Sequence, residues 1–225
     1  MREALKEGEF DKRLSVAKDG SGPQFTQEEV NAIVQAAKDY GFHTAAHAHG
    51  AEGMKRAVLA GITTIEHGTL MSEEVMDLMK EKGTYLVATI IAGRSAAEFA
   101  KIPGYYHPLV VPKALAIGSK IQENFGKAYK RGVPIAFGTD AGVFPHGENA
   151  KEFGYMVEGG MPALDALLSA MQVNANIIGL GDKIGSVEPG KLADLIAVNE
   201  NPAANIKTMM NVTFVMKDGV VYKSE

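Results

Sequence analysis

The sequence predicts an α/β fold built on a parallel sheet, and two features of the chain indicate this class. Between residues 24 and 140, short apolar runs alternate with helical patterns, which is the order expected when parallel strands are joined by crossover helices. The runs that we interpret as strands are apolar throughout, as is typical of a sheet that helices cover on both faces.

The first units of this pattern carry clear helix signals. Thr26 and Glu29 form a capping box that starts a helix with an apolar stripe, and Gly41 follows as its predicted C-terminal residue. We then expect a strand over 42–47 and a helix over 52–60, which ends at a glycine.

The next units repeat the order of strand and helix. A β-branched run at 62–66 predicts a strand, and Ser72 predicts the N-cap of a helix that stops at Gly83. The apolar run 84–91 predicts another strand, and the segment 93–107, with its glycine, proline and two tyrosines, predicts a functional loop.

The next elements complete a fourth unit of strand and helix, after which this alternation ends. We predict a helix over 112–131 and a strand over 133–137, and then two helices near 150–158 and 162–178. From residue 184 onward the chain is strand-like, and its last two strands are predicted to join at a tight Asp-Gly hairpin turn. These β runs lie at 193–198, 212–216 and 220–222, with the turn at 218–219.

Composition excludes several kinds of function. The chain of 225 residues has a net charge of −4, which argues against nucleic acid or an anionic membrane as an obligatory partner. It has no cysteine, so disulfides, zinc fingers and thiol nucleophiles are excluded. No apolar run approaches the roughly 20 residues that span a bilayer, and the charged N-terminus does not resemble a signal peptide. We therefore expect a cytoplasmic protein.

Three polar side chains fall where predicted strands end. His47, His67 and Asp140 each lie beside glycine or alanine at the end of a separate strand. In a parallel β/α barrel the carboxyl ends of the strands converge on one mouth, where active sites form. A lone histidine at such a position is usually structural, but two imidazoles and a carboxylate together favour a divalent-metal site, with zinc as the first choice.

Other residues are candidates for substrate contact. His49 shares a strand face with His47, and its role is open between substrate contact and structure. His146 lies in a loop soon after Asp140, and Tyr105 lies in the predicted loop 93–107. Arg94 and Tyr106, in the same loop, have types that suit a substrate carboxylate. Strand alternation places Glu66 on the face opposite to His67, which favours a structural role.

Taken jointly, these motifs resemble the amidohydrolase superfamily, in its imidazolonepropionase-like and prolidase-like branch. The resemblance spans about residues 21–222. It depends on HAHG at 47–50, IEHG at 65–68, FGTDAG at 137–142 and the tail IGSVEPGKLADL at 184–195.

The resemblance implies a particular fold and division of the chain. It implies a partial (β/α)8 TIM-type barrel, containing strands five to eight, followed by C-terminal strands of a small β-sandwich. The corresponding segments are an atypical N-terminal segment at 1–23, half of a metal-dependent hydrolase barrel at 24–183, and the sandwich segment at 184–225.

The resemblance also implies a chemistry. His47 would be the metal ligand of strand five, His67 that of strand six, and Asp140 the strand-eight carboxylate that contacts the metal and accepts a proton from the attacking water. The implied function is hydrolysis of an amide, peptide or cyclic-amide bond in a small molecule, in the manner of a Xaa-Pro dipeptidase or an imidazolonepropionase. Zinc is the favoured ion, and manganese and iron can use the same ligands.

Two departures from the family pattern open alternatives. No His-x-His pair precedes His47, and no lysine in residues 1–23 lies in an apolar strand-like run that could supply the family's carboxylated lysine. We therefore expect a truncated chain or an assembly of two chains, such as a homo-oligomer. A non-catalytic remnant and a heterocycle deaminase, which would release ammonia, are the alternative functions.

Overall fold

The structure is a computed structural model that describes residues 22–225. Within this range the chain forms one parallel sheet with its helices and one antiparallel sheet. The predicted N-terminal segment 1–23 lies almost entirely outside the described residues, and the predicted boundary near 183 stays a prediction.

The first sheet has four strands in the order β1-β2-β3-β4, and every neighbouring pair is parallel. This arrangement confirms the predicted α/β fold with a parallel sheet. The strands are β1 (Ala45–Gly50), β2 (Thr64–Leu70), β3 (Tyr85–Val87) and β4 (Ile135–Ala136).

The helices begin and end largely where the cap signals predict. The capping box of Thr26 and Glu29 is formed, and the Ser72 hydroxyl accepts the Val75 N–H. Gly61 and Gly83 end their helices in the left-handed conformation. The α-helices are α1 (Gln27–Asp39), α2 (Ala51–Ala60), α3 (Glu73–Lys82), α4 (Ile90–Phe99), α5 (Val111–Arg131), α6 (Lys151–Glu158), α7 (Ala163–Leu168) and α8 (Asn174–Ile177). A π-helical turn (Ser169–Val173) joins α7 to α8, and a 3₁₀ helix (Ile206–Met210) precedes the last two strands.

One prediction about this region was wrong. The run 84–91 was predicted as a strand, but β3 ends at Val87 and α4 begins at Ile90, which also converts the first part of the predicted loop 93–107 into helix. A short apolar run fits a buried helix as well as a buried strand, so periodicity could not separate the two.

Helices α4 and α5 approach each other closely because two glycines lie at their contact. A Cβ on Gly118 would lie 2.5 Å from Cβ of Ala97 and 3.2 Å from the carbonyl oxygen of Gly93. A Cβ on Gly93 would lie 2.8 Å from Cγ2 of Ile121. This contact matters for function, because the same helix pair forms a wall of the site described below.

The second sheet is antiparallel, in the order β5-β6-β7. Asp218 and Gly219 both have positive φ angles, 50° and 77°, which confirms the predicted hairpin turn. Asp194 accepts the backbone N–H of Asp218 at 2.8 Å and pairs with Lys217, so it ties this turn to the start of the sheet. The strands are β5 (Leu195–Val198), β6 (Val212–Lys217) and β7 (Val220–Ser224).

None of the helices formed by residues 22–225 is both long and apolar enough to cross a membrane.

The contact between α4 and α5 gives a test of packing. We expect Gly118→Ala to lower the free energy of unfolding by about 1–3 kcal/mol, because its methyl group would overlap Ala97. Gly154→Ala, also within a helix but with open space around it, should instead raise that free energy by about 0.5–1 kcal/mol. Urea unfolding of both variants measures the two effects, and equal shifts would contradict this account of the helix contact.

Candidate metal centre

Three histidines of the neighbouring parallel strands β1 and β2 lie close together. The ring centroid of His47 lies 4.5 Å from that of His67 and 4.7 Å from that of His49, and the other pair is 5.0 Å apart. One ring nitrogen from each residue lies within 4.8 Å of those of the other two. His67 is buried, whereas His47 is exposed. Imidazole nitrogens at this spacing form a donor set that suits a zinc-like ion.

Unusual backbone conformations coincide with this edge of the sheet. His67, Thr89 and Asp140 have φ angles of 73°, 50° and 54°; His67 lies within β2, Thr89 two residues after β3 and Asp140 four residues after β4. Residues other than glycine rarely adopt such angles, and where they do so the surrounding structure must hold them. The concentration of these residues around the histidines is typical of a functional site.

Two threonine hydroxyls orient two of the histidine rings. Oγ1 of Thr89 lies 2.7 Å from Nδ1 of His67, and Oγ1 of Thr69 lies 2.8 Å from Nδ1 of His49. Both threonines are buried, and the carbonyl of Thr69 accepts a 2.6 Å hydrogen bond from the side chain of Asn124. A hydrogen bond at one ring nitrogen sets the tautomer and directs the other nitrogen, as at metal sites in general.

Asp140 lines the same pocket as the three histidines, but it is exposed and lies outside the close trio. The segment just before Asp140 forms hydrogen bonds with two asparagine side chains. Asn149 donates a 2.9 Å hydrogen bond to the hydroxyl of Thr139, and the Asn174 side chain accepts from the N–H of Phe137 and donates to its carbonyl. The structure therefore brings the predicted carboxylate and the predicted histidines to one pocket.

Glu66 departs from the orientation predicted for it. It is the register partner of His47 in the parallel ladder, so it shares the face of that residue, and its carboxylate accepts a 2.6 Å hydrogen bond from Thr64. Burial raises the pKa of Glu66, and the negative charge of Asp140 contributes in the same direction. Strand alternation failed here because the left-handed backbone at His67 interrupts it.

The loop candidates occupy different positions. His146 is exposed and does not line the pocket, and the exposed ring of Tyr105 stacks on Phe99. Tyr106, rather than Tyr105, lines the pocket. Arg94 lies in α4 and not in a loop, and its guanidinium forms a 2.7 Å ion pair with Glu158.

The pocket wall beside the histidines is apolar. Helices α4 and α5 supply most of it, and no lysine or arginine of the described part of the chain lines it. The wall residues are Ala92, Gly93, Ala96, Ile117, Ile121, Val143 and Tyr106. Their apolar side chains favour contact with an apolar substituent over a charged one.

The buried carboxylate of Glu152, which the sequence analysis did not identify, binds the start of α4, one of the helices that line the pocket. The side chain of Glu152, in α6, accepts the backbone N–H groups of Ile90 and Ile91 at 2.8 and 2.7 Å. Burial raises the pKa of Glu152 to about 7, although both hydrogen bonds favour its charged form. The only signal in the sequence is an acidic residue near the start of a helix, which is commonplace.

Comparison with known proteins identifies what this chain is similar to. Residues 1–222 match the sequence model of the amidohydrolase family. The ochratoxinase of Aspergillus niger is 37% identical over 210 residues, which cover 89% of this chain. The imidazolonepropionase of Caldanaerobacter subterraneus subsp. tengcongensis is 33% identical over 195 residues, or 83% of this chain.

Solved structures give the same indication. The crystal structure of a Xaa-Pro dipeptidase with bound methionine in its active site is 58% identical in sequence and superposes with a TM-score of 0.90 over 94% of this chain. The chain spans only part of these relatives: 42% of the ochratoxinase, 40% of the imidazolonepropionase and 52% of the dipeptidase.

The raised pKa of Glu152 predicts how stability depends on pH. Between about pH 5 and 7 the folded state keeps a proton on Glu152 that the unfolded state releases, so the free energy of unfolding falls as the pH rises through this window. The full loss is about 3 kcal/mol and is complete above the folded pKa.

Urea unfolding of the wild type and of Glu152→Gln at several pH values checks this dependence. The variant shares every other titratable group, so the difference between the two free energies isolates Glu152. A difference that stays constant from pH 5 to 8 would contradict the raised pKa.

Proposed function

The chain belongs to the amidohydrolase family, and from this premise we propose that it is the metal-binding half of an enzyme that hydrolyses a carbon–nitrogen bond in a small molecule. The observation that carries the proposal is the cluster of His47, His49 and His67 at the carboxyl end of a parallel sheet, with Asp140 in the same pocket.

The cluster fits a divalent ion, with zinc as the first choice. His47 and His67 would hold the ion, Asp140 would contribute a carboxylate, and His49 would contact either the ion or the substrate. When bound, such an ion lowers the pKa of water toward neutrality and polarises the scissile carbonyl. The threonine contacts at His49 and His67 support the same assignment, because metal-binding imidazoles require a fixed orientation.

Asp140 is the proposed catalytic residue. Its exposed carboxylate would accept a proton as water attacks the carbonyl carbon, and would then deliver that proton to the leaving nitrogen as the C–N bond breaks. The two half-steps leave Asp140 as it began, with one carboxylic acid and one amine as products. Holding Phe137 and Thr139 through asparagine side chains would keep the carboxylate in place between the steps.

The apolar wall supports a substrate class. A pocket whose described lining has no lysine or arginine, and whose wall beside the histidines is apolar, suits an apolar residue or acyl group beside the scissile bond. Dipeptides of the Xaa-Pro type with an apolar first residue are our first choice, and cyclic amides of the imidazolonepropionase type are the second. The close similarity to a Xaa-Pro dipeptidase supports this order.

For the fold, we propose that β1 to β4 correspond to strands five to eight of a (β/α)8 barrel and that β5 to β7 belong to the accompanying sandwich. The parallel order of the four strands supports the first assignment. We also propose boundaries near residues 23 and 183, and the second of these lies between the last parallel strand, β4, and the first antiparallel strand, β5. A homo-oligomer would bring two such halves together.

A non-catalytic remnant is the second candidate, and one observation favours it. β1 forms an edge of the four-stranded sheet, so no further strand among residues 22–225 supplies ligands beyond it. A heterocycle deaminase would use the same ligands, and it would differ by releasing ammonia.

Metal content tests the central claim. We expect the purified chain to bind close to one equivalent of zinc, and His67→Ala to bind at least about tenfold more weakly because it loses a ligand. His43→Ala is the matched control, since His43 is exposed and outside the cluster. Elemental analysis after dialysis gives the result. A wild-type chain without metal would support the remnant, and an equal loss in both variants would contradict the assigned ligand.

A second prediction concerns Asp140. We expect Asp140→Asn to lower the turnover of an apolar Xaa-Pro dipeptide by a factor of about 100 or more, because an amide cannot transfer the proton. Chromatography of released proline measures turnover, and an ammonia assay on amino-substituted heterocycles tests the deaminase. Turnover equal to that of the wild type would remove Asp140 from the mechanism.

A further inference from the structure

We propose that Glu152 is a positioning residue that fixes the imidazole of His67 through the start of α4 and the hydroxyl of Thr89. The inference rests on the proposed function, in which His67 is a metal ligand. It adds a residue from α6, a helix that contributes nothing to the histidine cluster itself.

Glu152 acts on the first turn of α4. Its side chain is 1% exposed, and each of its two oxygens accepts one backbone N–H of that turn, from Ile90 and Ile91. The first N–H groups of any helix lack partners within the helix, so these two need an external acceptor. A carboxylate that accepts both fixes the position and direction in which α4 begins.

Thr89 is the residue that would ordinarily supply this acceptor. A threonine at the N-cap usually adopts an extended backbone and turns its hydroxyl toward the helix N–H groups. Here Thr89 has a φ of 50° and forms no side-chain cap, and its hydroxyl lies instead 2.7 Å from Nδ1 of His67. Because Glu152 replaces the missing cap, Thr89 is available to hold the histidine.

The cost of this arrangement argues against a purely structural cap. A buried carboxylate is expensive unless its charge is compensated. Within residues 22–225 no lysine or arginine forms an ion pair with Glu152, so the helix N–H groups alone compensate it. If the Thr89 hydroxyl capped α4, no carboxylate would have to be buried there, but that hydroxyl would no longer contact Nδ1 of His67.

The consequence for His67 is a defined tautomer. When the hydroxyl of Thr89 accepts from Nδ1–H, the lone pair of the imidazole lies on Nε2, which is the state that binds a metal. Loss of the Glu152 acceptors should let the start of α4 relax and should move the Thr89 hydroxyl away from Nδ1. His67 would then populate both tautomers, and a bound ion would be held more weakly.

Nuclear magnetic resonance of the metal-free chain at about pH 8, above the ordinary pKa of histidine, tests the positioning directly. Ring ¹⁵N shifts should show a single Nδ1–H tautomer of His67 in the wild type and a mixture in Glu152→Gln, because a glutamine offers one acceptor where two are needed. Zinc affinity, measured by competition with a chromophoric chelator, should fall about 10- to 100-fold. Glu123→Gln, an exposed glutamate of α5 whose ion pair with Lys127 stays within that helix, is the matched control and should change neither.

Variants of Thr89 complete the test. Thr89→Val should give the mixed tautomers of His67, whereas Thr89→Ser keeps a hydroxyl and should give the single tautomer. Thr89→Val combined with Glu152→Gln should give the same tautomer ratio as Thr89→Val alone. If Glu152→Gln does not fold, Glu152→Met removes both acceptors without burying a new polar group. A single tautomer in a folded Glu152 variant would overturn the proposal. Zinc binding that fails in the wild type would overturn only the proposed function, because the tautomers are measured without metal.

Discussion

The parallel pairing of β1 with β2 is the interaction on which the arrangement of the site depends. Its register sets Ala48 beside His67 and His47 beside Glu66, so that side chains separated by some twenty residues meet at one edge. Parallel strands all end on the same side, and this direction also brings the segment after β4 to the histidines. Regular alternation in this register would place His47 and His67 on opposite faces, so the left-handed backbone of His67 is needed to bring the two imidazoles together.

Local signals account for the parts of the fold that sequence reasoning predicted correctly. The box at Thr26, the cap at Ser72 and the turn at Asp218 and Gly219 each depend on residues a few positions apart, and each is formed. The start of α4 was missed because its N-terminal partner is Glu152, about sixty residues away. No pattern within an apolar run can reveal an acceptor that arrives from another helix.

Local sequence signals also allowed part of the candidate site to be predicted. His47, His67 and Asp140 were identified because strand ends can be recognised in the sequence, and the structure brings all three to one pocket. Which of two adjacent tyrosines faces that pocket depends on how the chain packs after α4, so Tyr105 and Tyr106 could not be separated in advance. The metal roles of His47, His67 and Asp140 and the substrate roles of the other candidates stay predictions.

The position of Ile121 has a consequence for how the specificity of this site could evolve. Its side chain belongs to the buried core, touches the position of Gly93 and also lines the pocket, so any change in its size alters stability and substrate fit together. Ala96, Ile117 and Val143 line the same pocket outside that core. New substrate preferences can therefore accumulate at these three positions with little loss of folding, whereas Ile121 would change only after compensating mutations elsewhere.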